Sequence, residues 1–197
     1  VGAAEDTDIV YVNVGPKTEE EKELLANYRA HVHPLATIPA LVLEGGETLV
    51  ESGAICLYLA EKYGKLKPSA GVQAQVDFYN WFFLATTTID GLLMDLHQVT
   101  HDIGDRKRTE AEEEKRTKVL AKFRSVLQML EDHIGGREYI AGDEFTAADL
   151  LVAYNFFWAR FLDSDGTLFA PYENVKKYVD AMLERDGFKN SGTFENK

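Results

Sequence analysis

Apolar and polar positions near the start of the chain predict a strand followed by a helix. In residues 8–14 the alternate positions 10, 12 and 14 are all valine, a period-2 pattern that indicates a β-strand. Residues 18–30 are acidic and begin with Thr18, three positions before Glu21. This is the spacing of a capping box, so we expect a short helix that starts at Thr18.

A β-hairpin and a second helix are predicted next. Residues 33–43 form a largely apolar run, and a Gly-Gly pair at 45–46 separates it from a short strand at residues 48–50. Two consecutive glycines favour a hairpin because both turn positions tolerate a positive φ. Residues 51–63 predict a compact helix, and Gly64 stands where such a helix ends.

The pattern changes after Gly64. Residues 65–71 contain the Pro, Ser and Gly of a linker, which predicts a first domain over residues 1–64 and a second over residues 72–197. Beyond the linker the apolar positions recur with a helical period. The predicted helices cover residues 72–97, 109–134, 147–162 and 175–182. The aromatic residues of the first of these are spread too broadly for one exposed stripe, so most of them should be buried.

Composition narrows the classes of partner. The chain has 197 residues, 45% of them hydrophobic, with a formal net charge of −12 and a pI of about 4.9. Such a surface repels phosphate backbones and anionic lipids, which argues against nucleic acid as a partner. No apolar run approaches the roughly 20 residues of a transmembrane helix, which argues against membrane insertion. Cys56 is the only cysteine, which fits a reducing compartment, either the cytoplasm or an organelle reached through a targeting segment since removed.

Three segments resemble the glutathione transferase family, in particular its bacterial-type branch. They are residues 37–41 (TIPAL), residues 51–61 (ESGAICLYLAE) and residues 142–150 (GDEFTAADL). Residues 171–189 also resemble the last helix of the family. The segments occur in the order and at the spacing of the family, and the similarity spans essentially the whole chain.

The resemblance implies a fold and an activity. The fold is an α/β thioredoxin-like N-terminal domain, here lacking its first strand, followed by an all-α C-terminal helical domain. The activity is conjugation of glutathione, the co-substrate, to small hydrophobic electrophiles, as in detoxification, or other glutathione-linked thiol chemistry. A homodimer is expected, because family active sites lie next to the subunit interface. No metal ion is expected.

The resemblance also implies a glutathione site at the end of the predicted hairpin. In the family the proline at position 39 follows a cis peptide bond, and the residue before it offers its N–H and C=O to the cysteinyl part of glutathione as an added strand. This assigns Thr37, Ile38 and Pro39 to glutathione binding. Taken alone, the Ile38-Pro39 pair also fits an ordinary edge-strand proline.

Glu51 and Ser52 stand where a strand ends and a helix begins. Free N–H groups and the helix dipole favour an anion at such a point, and Ser52 adds a hydroxyl. By resemblance, Ser52 holds the α-carboxylate of the γ-glutamyl group and Glu51 lies near its ammonium. The alternative is that Ser52 is an N-cap. Thr146 and Asp149, in the third segment, form another capping box, to which we assign no chemistry.

The sequence departs from the family before the Ile-Pro pair. Family members commonly carry Asn-Pro-x-Gly-Lys there, whereas residues 33–37 of this chain are HPLAT. The lysine that pairs with the glycine carboxylate of glutathione is thus replaced by Thr37, and weaker binding of that end or use of another residue is expected. His33 is a candidate substitute, although an ordinary loop role is favoured. From the order of elements in the family, we expect Phe78, Trp81 and Phe82 to form one wall of the site for the second substrate, the electrophile.

The catalytic residue is unassigned. In the family it is a Tyr, Ser or Cys between the first strand and the first helix, and the resemblance places that segment upstream of Val1, with residues 1–5 as the tail of the helix. Without the first strand, residues 8–14 would lie about 10 Å, two strand spacings, from their nearest partner. We therefore expect a chain that is truncated or starts at a processing boundary. A strand donated by another chain and a native start are the alternatives.

Two other functions stay open. A non-catalytic transferase-like scaffold within a larger assembly fits the absent first strand and the absent lysine. A glutathione-dependent disulfide reductase or peroxidase differs from a conjugating enzyme mainly in the catalytic turn. Cys56 has apolar helical neighbours, which indicates a core thiol rather than a nucleophile. His97 and His101 have the spacing of a metal-binding pair, but an exposed helix end is favoured.

Overall fold

The computed structural model describes residues 7–101, 106–163 and 166–191. The chain divides between Lys65 and Leu66 into two compact units. Residues 1–5, predicted to be the tail of a helix, lie outside the described residues. In the described part of the chain, none of the helices combines the length and the apolar character that a membrane span requires.

The described residues of the first unit, 7–65, contain two helices and a two-stranded sheet. These elements are α1 (Glu19–His31), β1 (Ala40–Val42), β2 (Thr48–Val50) and α2 (Ser52–Tyr63). The predicted start of α1 is confirmed, because Thr18 is its N-cap and forms a complete capping box with Glu21. Hydrogen bonds from the Asn13 amide and from the N–H groups of Thr18 and Lys17 lower the pKa of Glu21 to about 2. The capping carboxylate therefore stays ionised at neutral pH.

The predicted hairpin is formed by β1 and β2. The strands pair antiparallel, with Ala40 opposite Val50. The turn is closed by Gly46, whose N–H donates to the C=O of Leu43 at 2.9 Å. Gly46 has a φ of +90°, a conformation that side chains rarely adopt, which explains why the Gly-Gly pair predicts this turn.

The strand predicted at residues 8–14 does not form. These residues have no strand pairing in the described structure. The side chains of Ile9, Val10 and Tyr11 are at least 70% exposed. The described sheet consists of β1 and β2 alone, so the segment has no neighbour with which to form ladder hydrogen bonds. The alternating valines fit one face of a strand, but a strand also needs a second strand beside it, and the valine pattern does not indicate one.

The second unit contains helices and, among its described residues, no strand. Its elements are α3 (Val72–Phe83), a π-helical segment (Leu84–Ile89), α4 (Asp90–Thr100), α5 (Glu110–Ile134), α6 (Ala147–Leu162), α7 (Glu173–Leu183) and α8 (Asp186–Lys189). The starts of α5 and α6 agree with prediction, because Thr109 and Thr146 are their N-caps.

The helix predicted at residues 72–97 is not uniform. Its middle part, Leu84–Ile89, is a π-helix. The hydroxyl of Thr87 donates to the C=O four residues earlier, at 2.7 Å, and such bonds compete with the regular helical ladder. The amide of Asn155 on α6 donates to the C=O of Ala85 at 2.9 Å, in addition to the bond that this C=O accepts from the N–H of Asp90. The wider turn is thus supported by a neighbouring helix.

The core of the second unit surrounds α6, where 10 of 16 residues are buried. The largest fully buried side chains of the unit include Phe78, Phe82, Phe123 and Phe156. Asp149, near the start of α6, is completely buried. Its carboxylate accepts hydrogen bonds from the N–H of Ile140, from the N–H and hydroxyl of Thr146 and from the hydroxyl of Tyr178, each at 2.8 Å. These bonds join α6 to α7 and to the preceding loop.

Candidate functional site

The register of the hairpin brings the predicted site residues of the first unit together. Ala40 pairs with Val50, so the residues just before Ala40 and just after Val50 lie at the same end of the hairpin. Neighbouring strands are about 5 Å apart. We call this set the hairpin-end cluster: Ile38, Pro39, Glu51 and Ser52.

Ile38 presents its backbone beside the free edge of β1. The residue is 56% exposed, and neither its N–H nor its C=O forms a backbone hydrogen bond with another described residue. The Ile38-Pro39 peptide bond is cis, as the resemblance implies. Unpaired N–H and C=O groups at a strand edge are the groups with which an extended peptide pairs when it adds a strand.

Glu51 and Ser52 form the beginning of α2. Glu51 is the N-cap, with a φ of +71° and a ψ of 121°, and its side chain makes no capping hydrogen bond. A residue other than glycine rarely adopts a positive φ, and such backbone strain is concentrated at functional sites. Ser52 is the first helical residue, so the alternative that it is the N-cap is wrong. Both residues are exposed.

This end of the hairpin can bind a carboxylate. The N–H groups in the first turn of a helix have no intrahelical partner, and the side chain of the N-cap residue Glu51 does not cap those of α2. The helix dipole adds a positive potential at the same point. The exposed Glu51 carboxylate lies beside these donors and can pair with a cation. A carboxylate and an ammonium on one carbon, as in an α-amino acid, match this combination.

The loop before Ile38 is held from inside the unit. Tyr28 of α1 is buried, and its hydroxyl donates to the C=O of Thr37 at 2.6 Å. His33 is also buried, with Nε2 at 2.7 Å from the Thr37 hydroxyl. Ala36 adopts a φ of +54°, and its N–H donates to the C=O of His33 at 2.8 Å. The ring of His33 is thus engaged within the loop.

The sequence carries only a weak signal for this loop geometry. The family motif has a glycine at the position of Ala36, which is the residue expected where φ is positive. No pattern along the chain indicates that the hydroxyl of Tyr28 reaches the C=O of Thr37, nine positions later. The participation of α1 in the loop is therefore a finding of the structure.

Comparison with known sequences decides the family. The sequence profile described as "Glutathione S-transferase, N-terminal domain" matches residues 6–68, and the profile described as "Glutathione S-transferase, C-terminal domain" matches residues 105–181. Together they cover more than two thirds of the chain. The chain belongs to the glutathione S-transferase family.

Individual family members are related to it at moderate identity. The chain is 27% identical over 161 residues to glutathione S-transferase 3 of Schizosaccharomyces pombe, which covers 77% of this chain and 65% of the relative. It is 33% identical over 154 residues to glutathione S-transferase 3 of Zea mays, which covers 73% of this chain and 63% of the relative. The chain thus spans slightly less than two thirds of the length of these relatives.

A solved structure shares the architecture. The glutathione transferase of Burkholderia graminis, with two glutathione molecules bound per subunit, has a TM-score of 0.68 at 25% identity, covering 83% of this chain and 70% of that chain. The glutathione transferase fold predicted from the sequence is confirmed: a thioredoxin-like N-terminal domain with a two-stranded sheet precedes a helical C-terminal domain.

The aromatic residues expected to face a second substrate lie in the core of the helical unit. Phe78, Trp81 and Phe82 are at most 4% exposed. The open aromatic surface of α3 consists instead of Tyr79 and Phe83, which are 44% and 50% exposed. Adjacent positions of a helix point to different faces, so the two sets cannot serve the same surface. The burial of the three predicted residues does not support an open wall formed by them.

The remaining candidates for reactive side chains are Cys56 and the pair of His97 and His101. Cys56 is half-buried on α2, and burial raises the pKa of its thiol, which disfavours the nucleophilic thiolate. The rings of His97 and His101 stack, with centroids 5.3 Å apart and an interplanar angle of 11°. Within residues 7–101, 106–163 and 166–191, no group of three His, Cys, Asp or Glu side chains is arranged to hold a metal ion.

Proposed function

We propose that this chain is a glutathione S-transferase that binds glutathione at the hairpin-end cluster and conjugates it to small hydrophobic electrophiles. The observation that carries the proposal is the hairpin register, which sets the open backbone of Ile38 beside the uncapped start of α2 at Ser52. Membership of the family supports it, as does the glutathione present in the related Burkholderia graminis structure.

Each part of glutathione has a matching group in the proposal. The N–H and C=O of Ile38 pair with the cysteinyl unit, which lies along the edge as an added strand. The first-turn N–H groups of α2 and the Ser52 hydroxyl bind the γ-glutamyl carboxylate, and Glu51 pairs with the adjacent ammonium. Thr37 and Pro39 shape the loop that presents Ile38.

Conjugation requires ionisation of the glutathione thiol. A free thiol has a pKa near 8.5 and is mostly protonated at neutral pH. A hydrogen-bond donor directed at the sulfur stabilises the thiolate electrostatically. The sulfur lone pair then forms a bond to the electrophilic carbon, and the leaving group departs with its bonding electrons. In this reaction the described residues bind and orient glutathione.

Retention on immobilised glutathione tests the binding step. The wild-type chain should be retained and should elute with free glutathione. Ser52→Ala removes one donor and should raise the dissociation constant for glutathione by about three- to tenfold. Ser125→Ala is the matched control, because Ser125 is an exposed serine of α5 whose hydroxyl donates to the C=O of Ala121 within the same helix. No retention of the wild type, or an equal effect of the two substitutions, would contradict the proposal.

A conjugation assay tests the chemical step. The wild type should accelerate formation of the dinitrophenyl thioether from glutathione and 1-chloro-2,4-dinitrobenzene, with saturation by glutathione. Glutathione binding without turnover would favour the second candidate, a non-catalytic transferase-like module. One observation favours that candidate: at the family's lysine position this chain has Thr37, a neutral residue whose hydroxyl is engaged by His33.

We also propose a homodimer formed through α3. Val72, Val76, Tyr79 and Phe83 recur at helical spacing and are 44–79% exposed. A second copy of the chain would remove this apolar stripe from water. Sedimentation equilibrium should give twice the 22.1 kDa chain mass. Tyr79→Asp should shift the mass toward the monomer, whereas Met129→Asp, at an exposed apolar position of α5, should not. A dimer that persists unchanged in Tyr79→Asp would exclude this face.

A further inference from the structure

Two buried side chains hold the same exposed residue of the loop. The Tyr28 hydroxyl donates to the C=O of Thr37 at 2.6 Å, and His33 Nε2 lies 2.7 Å from the Thr37 hydroxyl. Tyr28 and His33 are 8% and 6% exposed. The N–H of His33 also donates to the C=O of Tyr28 at 3.0 Å. The outer part of the loop is therefore held by two largely buried side chains, one of them on α1.

The anchored C=O belongs to the same peptide unit as the N–H of Ile38. A peptide unit is planar, and in its trans form the C=O and N–H point in opposite directions. The one cis bond among the described residues is Ile38-Pro39, so the Thr37-Ile38 unit is trans. The hydrogen bond that holds the Thr37 C=O toward Tyr28 consequently holds the Ile38 N–H away from Tyr28. This agrees with the absence of a backbone partner for that N–H among the described residues.

We propose that Tyr28 is a positioning residue for glutathione, whose hydroxyl orients the Ile38 N–H before the ligand arrives. The inference rests on the proposed function, because it requires that glutathione binds at the hairpin-end cluster. Tyr28 acts through the Thr37-Ile38 peptide unit and does not itself contact the ligand. A donor that is already oriented costs less ordering on binding, so the hydroxyl contributes to affinity.

Tyr28→Phe isolates this contribution, because it removes the hydroxyl and keeps the buried ring. Tyr172→Phe is the matched control in the helical unit. Tyr172 is 7% exposed, and its hydroxyl also donates to a backbone carbonyl, that of Arg124, at 3.2 Å. Both variants lose one buried hydroxyl-to-carbonyl hydrogen bond and should show similar falls in melting temperature. Only Tyr28→Phe should raise the dissociation constant for glutathione, by about three- to tenfold.

The experiment is titration calorimetry of glutathione into the wild type and both variants, with the NMR shifts of the ligand-free proteins. Tyr28→Phe should shift or broaden the carbonyl carbon signal of Thr37 and the amide signal of Ile38, and Tyr172→Phe should leave both unchanged. In conjugation kinetics Tyr28→Phe should raise KM for glutathione and leave kcat at saturating glutathione unaltered. A purely structural role would not produce this combination.

The outcomes separate the inference from the function on which it rests. Glutathione affinity of Tyr28→Phe within twofold of the wild type, or equal losses in both variants, would overturn the positioning role and leave glutathione binding intact. Absence of glutathione binding by the wild-type chain would overturn the proposed function, and the positioning role with it.

Discussion

Replacing Thr146 with alanine removes the N-cap of α6 and one of the donors to a buried carboxylate. Thr146 and Asp149 are both completely buried. The N–H and the hydroxyl of Thr146 donate to the same carboxylate oxygen of Asp149, each at 2.8 Å. Alanine keeps the N–H and loses the hydroxyl, and the site is too deeply buried for water to replace it without a rearrangement of the core.

The expected cost is the sum of two losses. Removal of a threonine N-cap costs about 1 kcal/mol. Loss of a hydrogen bond to a charged group costs about 1.5–3 kcal/mol. Thr146→Ala should therefore lower the free energy of unfolding by about 2.5–4 kcal/mol. In proteins of this length 1 kcal/mol corresponds to about 2–4 °C, so the melting temperature should fall by about 5–16 °C.

Thr109→Ala supplies the matched control. Thr109 caps α5 in the same capping box, with Glu112 in the place of Asp149, but at the surface. Its hydroxyl also donates to the Glu112 carboxylate, at 2.9 Å, but at this exposed site water can replace that bond, so the expected cost is only about 0.5–1 kcal/mol. Scanning calorimetry and urea titration of the two variants beside the wild type measure the difference. Equal losses of stability in the two variants would refute the argument from burial.

The pH dependence of the Thr146→Ala deficit tests the same network. Burial raises the pKa of Asp149, and its hydrogen bonds from Ile140, Thr146 and Tyr178 oppose the rise in part. An acid whose pKa is higher in the folded state binds more protons when folded, so its contribution to stability falls as pH rises from about 3.9 through the raised value. Thr146→Ala removes a bond that favours the carboxylate and raises this pKa further. The free energy of unfolding that Thr146→Ala loses relative to the wild type should therefore be larger at pH 7 than at pH 4. A loss that does not change with pH would contradict a hydrogen bond from Thr146 to the Asp149 carboxylate.

Asn155→Ala should lower the free energy of unfolding by about 0.5–1.5 kcal/mol in urea titration, because it removes one of the two hydrogen bonds that the C=O of Ala85 accepts and leaves the one from the N–H of Asp90. Unchanged stability would show that the π-helix does not depend on this bond. Gly142→Ala should cost about 1–2 kcal/mol, since Gly142 has a φ of +83° and an added Cβ would lie 3.1 Å from the Cβ of Ala74. Gly91→Ala, in the open interior of α4, should instead stabilise by about 0.5–1 kcal/mol, and calorimetry that ranks the two glycine variants in the opposite order would reject this reasoning.

Local signals predicted the elements that local interactions decide. Thr109 and Thr146 mark the starts of α5 and α6 because each capping box satisfies N–H groups within a few residues of sequence. The Gly-Gly pair predicted the hairpin because the turn depends on the φ of a residue within the turn itself, Gly46. Residues 8–14 show the limit of this reasoning. Their period of two describes a strand face, but a strand needs a second segment beside it, and no local pattern encodes where that segment lies.

The π-helical segment was missed because its cause is only partly local. Consecutive threonines in Leu84–Ile89 lower helix propensity and offer hydroxyls that compete for backbone acceptors, which is a signal present in the sequence. The other support is the amide of Asn155, seventy positions away on α6. Helical periodicity across residues 72–97 is retained on both sides of the wider turn, so the apolar pattern alone predicts one regular helix.

At the candidate site, the residues that meet were predictable and their backbone orientation was not. Pro39 and Glu51 lie at one end of the hairpin because the turn sets the register, and the turn is visible in the sequence. The positive φ of Glu51 and the contact of Tyr28 with Thr37 depend on packing within the unit, which no spacing rule specifies. If a buried hydroxyl on α1 orients the edge, then glutathione affinity depends on a residue that motif comparison does not select. Variation at Tyr28 would then change affinity among related chains whose exposed site residues are identical.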